Sequence, residues 1–193
     1  MRPSAAVPLL ILAGVVVGAS LVELGLRLAV PGAPDLRGLH MAEPTRPWLY
    51  RLRPGAEAQR EGRDGVRYRI NEDGFRGRRY AQTPPANTFR IVVLGDSLTF
   101  GYGVAESEVY TTLLAGVLAE PRGGRAVEVL NLGVGGYNPY NEVALFEGIG
   151  AAYQPDLVLV QFCINDLNDP RLHFDAHVVG GGFRRRRVQR LIF

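Results

Sequence analysis

The polarity of this chain changes character three times. From Val7 to Val30 it reads V-P-L-L-I-L-A-G-V-V-V-G-A-S-L-V and then E-L-G-L-R-L-A-V, apolar throughout apart from Ser20 and the charged Glu23 and Arg27. A run of that length can cross a hydrocarbon layer of about 30 Å. Residues 1–30 are therefore expected to form a transmembrane signal anchor. Arg2 and the terminal amine flank its leading end, which puts the N-terminus in the cytoplasm and the rest on the extracytoplasmic side, periplasm or cell surface. Gly18, Ala19 and Ser20 would suit a cleaved signal peptide. The apolar pattern continues past them, so an uncleaved anchor is expected.

Residues 31–87 lose that pattern. Pro31, Pro34, Pro44, Pro47 and Pro54 are interspersed with arginines, which predicts an extended linker arm outside the core. Arg67 to Arg79, R-Y-R-I-N-E-D-G-F-R-G-R-R, alternates weakly and turns at Asp73-Gly74. It is expected to form a small edge hairpin with its arginines solvated.

From residue 88 short apolar runs alternate with helical spacing. Ile91 to Leu94 reads as a buried strand, and Val127 to Leu130 and Leu157 to Phe162 as a second and a third strand. Between them, Val109, Leu113, Leu114, Val117 and Leu118 predict a helix over 107–120. Val143, Leu145, Phe146 and Ile149 predict another over 141–152, stopped at Pro155-Asp156. Strand–helix alternation with short connections predicts a parallel sheet covered by helices. No internal repeat and no complete Walker or dinucleotide glycine fingerprint interrupts it.

Composition narrows the reading. With 193 residues, 47% hydrophobic and 21% charged, the chain can fill one domain and an appendage and is not globally disordered. All 22 basic residues are arginine, yet net charge is only +3 and is spread along the chain, so no nucleic-acid partner is expected. Arg184 to Arg187 reads as a solvated run. The single cysteine, Cys163, excludes an intrachain disulfide and a cysteine-built zinc site. His173, Asp175 and His177 form a weak trio, and no metal or cofactor is expected.

The chemistry lies at the strand ends. Gly95-Asp96-Ser97-Leu98 follows the first strand, Asn131-Leu132-Gly133-Val134-Gly135-Gly136 the second, and Cys163-Ile164-Asn165-Asp166 the third. A hydroxyl held on a tight turn at the carboxyl edge of such a sheet suits nucleophilic acyl chemistry. In order and spacing these blocks resemble the SGNH (GDSL) hydrolase family over Thr88 to Pro170. The Tyr68-x-Ile70-Asn71 and Gly74-Phe75-Arg76-Gly77 wording resembles the lead-in of membrane-anchored members. The resemblance implies a three-layer α/β/α, flavodoxin-like sheet over residues 88–193 and hydrolysis of ester bonds. It also implies that Ser97 is the nucleophile and that the Ser97 and Gly136 N–H groups and the Asn165 amide hold the oxyanion. Asp96 and Asp166 would make structural hydrogen bonds beside the site. Where the family commonly carries glycine, two positions before the asparagine, this chain has Cys163, read as a small buried thiol.

The base does not follow. The family takes histidine and its aspartate from a late Asp-x-x-His block. Here Asp169 stands four before His173 and Phe174 three before His177, while His40 lies in the proline-rich arm. The chain is therefore expected to be a C-terminally incomplete SGNH domain with little hydrolase activity as given. The implied partner is an ester substrate, an acylated carbohydrate among the options. An O-acetyltransferase, an acetylesterase and a non-catalytic carbohydrate-binding or assembly module are the rival readings.

Overall fold

The structure, a computed structural model, describes residues 6–29, 37–59, 65–118 and 124–167. Helix α1, Ala6–Ala29, has 24 residues, a length of roughly 36 Å at the α-helical rise. Its Pro8–Leu26 stretch has a mean hydropathy of 2.3 and none of it is buried. Among the described residues this is one helix long and apolar enough to span a membrane.

The three expected strands form one parallel sheet. Strand β5 (Thr88–Leu94) lies in the centre, between β6 (Ala126–Asn131) and β7 (Leu157–Val160). Register runs from Thr88 beside Ala126 to Val93 beside Asn131, and from Ile91 beside Leu157 to Leu94 beside Val160. Alternation sorts the side chains by face. Ile91, Val93 and Val129 pack with Leu114 and Ala115 of helix α3 (Tyr110–Leu118). Val92, Leu94 and Leu130 pack with Leu145 of helix α4 (Pro139–Gly148) on the other side. The result is helix, sheet, helix in three layers. The chain leaves β5 for β6 and then crosses back to β7, so its direction reverses beside β5. In open α/β sheets ligands bind at that reversal, beyond the strands' carboxyl ends.

Both predicted helices are shorter than their apolar spacing suggests. The first begins as a 3₁₀ turn, Glu106–Glu108, and becomes α-helical at Tyr110. The second ends at Gly148 and gives way to a 3₁₀ turn, Gly150–Tyr153. It starts two residues early because the Asn138 side chain accepts from Tyr140 N and Asn141 N, with Pro139 opening the first turn.

The proline-rich arm departs most from expectation. Residues 37–59 were expected to be extended and outside the core. They fold instead into β1 (His40–Ala42) antiparallel to β2 (Tyr50–Leu52), then β3 (Glu57–Gln59), which pairs with β4 (Arg67–Arg69). Leu39, Trp48, Tyr50 and Leu52 are buried in the same cluster as Val92, Leu94 and Leu130. Helix α4 does not cover that face alone, and the arm's aromatics complete it. Pro44, Pro47 and Pro54 lie in the turns between these short strands.

The turn at Asp73-Gly74 is present. The Asn71 side-chain oxygen accepts from Asp73 N and Phe75 N, each at 3.0 Å. Arg67, Arg69, Arg78 and Arg79 are solvated as expected, whereas Arg76 is buried.

Candidate active site

Ser97 opens a single helical turn, α2 (Ser97–Phe100), directly after β5. The Asp96 side chain accepts from Leu98 N at 2.9 Å, filling one donor left open at a helix start. Ser97 itself is half-buried, and Leu98 beside it is exposed.

Neighbouring strand ends hold this turn from both sides. Leu132 N donates to Val93 O at 2.9 Å and Val134 N to Gly95 O at 3.1 Å, while Gln161 N donates to Leu94 O at 3.0 Å. Thr99 is buried beneath the turn. Its hydroxyl meets Gln161 Oε1 at 3.1 Å and the Tyr110 hydroxyl at 2.8 Å. Burial raises the Tyr110 phenol above its ordinary value, so it stays a neutral partner.

Two residues that sequence reasoning passed over do much of the fastening. Asn131 is buried at the end of β6. Its amide donates to Thr99 O at 2.6 Å and Thr111 Oγ1 at 3.1 Å, and its oxygen accepts from Gly133 N at 2.9 Å. Arg76 donates through Nη1 to Phe100 O (2.7 Å) and Gly101 O (2.5 Å), and through Nη2 to Val104 O (2.6 Å). Its guanidinium lies 4.9 Å from the Tyr68 ring centroid and 5.1 Å from that of Phe100. The expected solvated arginine is thus a buried clamp on three carbonyls, at the end of α2 and in the loop that follows it.

Gly136 lies in the turn after β6 with φ +79°, a conformation L side chains rarely adopt. That turn is tied to the arm, since the Tyr50 hydroxyl donates to Gly135 O at 2.9 Å and the Tyr137 hydroxyl donates to Tyr50 O. Burial pushes both phenols well above their ordinary range, which keeps them protonated donors.

Asn165 lies in a 3₁₀ turn, Ile164–Leu167, beyond β7. Asp166 closes that turn: Cys163 N donates to its Oδ2 at 2.7 Å, and Asp166 N donates to Cys163 O at 3.0 Å. Cys163 is half-buried, not buried as expected, and free.

The backbones of Ser97, Gly136 and Asn165 therefore follow three adjacent parallel strands at one sheet edge. His40 is elsewhere, on β1, with its ring edge-on to Tyr50 at 5.8 Å between centroids. His173, Asp175 and His177 lie outside the described residues, as does the run Arg184 to Arg187. Among the described residues, no group of three or more His, Cys, Asp or Glu is arranged to hold a metal ion.

A family model for the GDSL-like lipase/acylhydrolase family matches residues 93–191, a little over half of the chain. No curated protein matches it.

Proposed function

Since the chain belongs to the GDSL-like lipase/acylhydrolase family, whose chemistry is the hydrolysis of esters, we propose that Ser97 is the nucleophile of a serine ester hydrolase. In this reading Ser97 Oγ attacks the ester carbonyl, the alcohol leaves, and water releases the acyl group. The developing oxyanion is met by the N–H of Ser97, the N–H of Gly136 and the amide of Asn165. These donors are neutral, so they stabilise charge without competing for the proton. The observation that carries the reading is the hydrogen bonding of both flanking strand ends onto the two residues that lead into Asp96-Ser97, Val134 N onto Gly95 O and Gln161 N onto Leu94 O.

None of His40, His173 and His177 stands in the family's Asp-x-x-His spacing, so Ser97 lacks a base of the usual kind from these residues. A serine without its base retains only what oxyanion donors and binding supply. Hydrolysis of a short acyl ester by the detergent-solubilised chain is thus expected to be slow, to rise with added imidazole, and to vanish in Ser97→Ala. Protein-dependent hydrolysis that survives Ser97→Ala, or that requires His173 or His177, overturns this account.

The apolar, unburied Pro8–Leu26 stretch of α1 supports a single-pass anchor, and Arg2 ahead of it favours residues 31–193 outside the cytoplasm. A phosphatase reporter that works only outside the cytoplasm is expected to be active when joined after Pro85. Silence there would reverse the orientation.

A further inference from the structure

Glu142 sits in the first turn of α4 and is 1% exposed. Both of its carboxyl oxygens are buried with no hydrogen-bond partner, and among the described residues no arginine forms an ion pair with it. The groups that act on it electrostatically are also acidic. Asp166 comes from the turn after β7 and Asp96 from the cap of α2, while the Tyr110 phenol of α3 senses both Glu142 and Asp96.

Asp166 shows the matching deficit. Its Oδ2 accepts from Cys163 N, but its Oδ1 is buried and unpartnered. A buried carboxylate without a cation or donor is strongly disfavoured. One added proton removes a charge from the cluster and creates a donor where only acceptors stood.

We propose that Glu142 works in its protonated form as a positioning residue, its neutral carboxyl keeping Asp166 seated and, through Asp166, the turn that carries Asn165. Burial first, then Asp166 and Asp96, push the Glu142 carboxyl up to about 7. The folded chain therefore binds this proton more tightly than the unfolded chain, whose glutamate titrates near its ordinary value of about 4.3. Stability from this group is complete below that ordinary value and is lost as pH rises through about 7. Above that pH the repelled Asp166 releases Cys163 N–H and the turn loosens. The catalytic consequence rests on reading Asn165 as an oxyanion donor. The charge state of Glu142 and the seating of the turn do not.

The test follows the full chain in detergent micelles by carbon NMR of the Glu142 carboxyl and by hydrogen exchange at the Cys163 amide. The carboxyl is expected to titrate near 7. Cys163 protection, corrected for intrinsic exchange, is expected to fall about tenfold across that titration. In Glu142→Gln, which keeps the shape and a donor but cannot ionise, protection should persist at alkaline pH. Titration of Glu142 with the ordinary carboxylates, or parallel loss of protection in native and variant chains, overturns the proposal. If Glu142→Gln does not fold, the native titration decides alone. A chain that passes while showing no Ser97-dependent hydrolysis refutes the proposed activity and leaves Glu142 as assigned. A chain that hydrolyses esters but fails the titration does the reverse.

Discussion

Gly133→Ala is expected to cost about 3 kcal/mol or more, the upper range for overpacking a closed site. A Cβ built on Gly133 would lie 2.3 Å from Phe100 N, 2.6 Å from Thr99 C and 2.8 Å from Thr99 Cβ. Two of those neighbours are backbone of α2, which cannot rotate aside as a long side chain would. Relief requires the 131–136 loop and α2 to move apart. That breaks the Asn131 bond to Thr99 O, stranding polar groups that are buried in the native chain. For a chain of this size the loss corresponds to a fall in Tm of about 10 °C. Trp48, the single tryptophan, is buried in the main core and reports the transition by fluorescence. Gly135→Ala is the control, since a Cβ there meets nothing within 4 Å. Similar melting of the two variants would show that the close approach of loop and turn is wrong. Because Gly133 fixes the loop against the turn that begins at Ser97, Ser97-dependent hydrolysis should fall in Gly133→Ala and persist in Gly135→Ala.

What could be read from residue order alone divides along the range of the interactions. The runs at 91–94, 127–130 and 157–162 announce strands by their short apolar stretches; the central one, 91–94 of β5, is continuously apolar and buried, whereas Leu157, Leu159 and Val160 of β7 are exposed. The first two are followed at once by Gly95 and Asn131 and the third, after Cys163-Ile164, by Asn165-Asp166, so the strand-end placement of Ser97, Gly136 and Asn165 is legible too. The helical spacing at 109–118 locates α3 but not its buried side: Thr111 is buried whereas Leu113 and Val117 are exposed. The arm was opaque for a different reason. Tyr50 and Trp48 reach partners 85 and 93 positions away, the Tyr50 hydroxyl at Gly135 O and the Trp48 carbonyl at the Asn141 amide. Prolines punctuate short strands as readily as linkers, so composition could not choose between them. Arg76 looks like its neighbours, and only its three carbonyl acceptors, at the end of α2 and in the loop after it, single it out. Glu142 was hidden likewise, since a glutamate in a first helical turn is ordinarily a solvated cap.

The second large effect belongs to Arg90, near the start of β5. Arg90→Met is expected to destabilise the fold by about 3–5 kcal/mol, the usual result of stripping one partner from a buried ion pair. The Arg90 side chain is 0% exposed and Glu128, opposite it on β6, is 13% exposed. Nε and Nη2 donate to Glu128 Oε2 at 2.9 and 2.5 Å, and Nη1 donates to Gln82 O at 2.8 Å and Tyr153 O at 2.7 Å. One guanidinium thus joins the arm, two strands and the 3₁₀ turn before β7. Its removal leaves a shielded carboxylate and two carbonyls without that donor. Adding Glu128→Leu to Arg90→Met should recover about 1 kcal/mol or more, because the stranded charge goes with it. Recovery should stop short of the native value, since Gln82 O and Tyr153 O still lack their donor. Urea unfolding followed at Trp48 gives all three free energies. The single loss should be nearly independent of salt, since screening acts weakly on buried pairs. A loss below about 1 kcal/mol, in the range of exposed pairs, would place Arg90 in solvent and dissolve the join between arm and sheet.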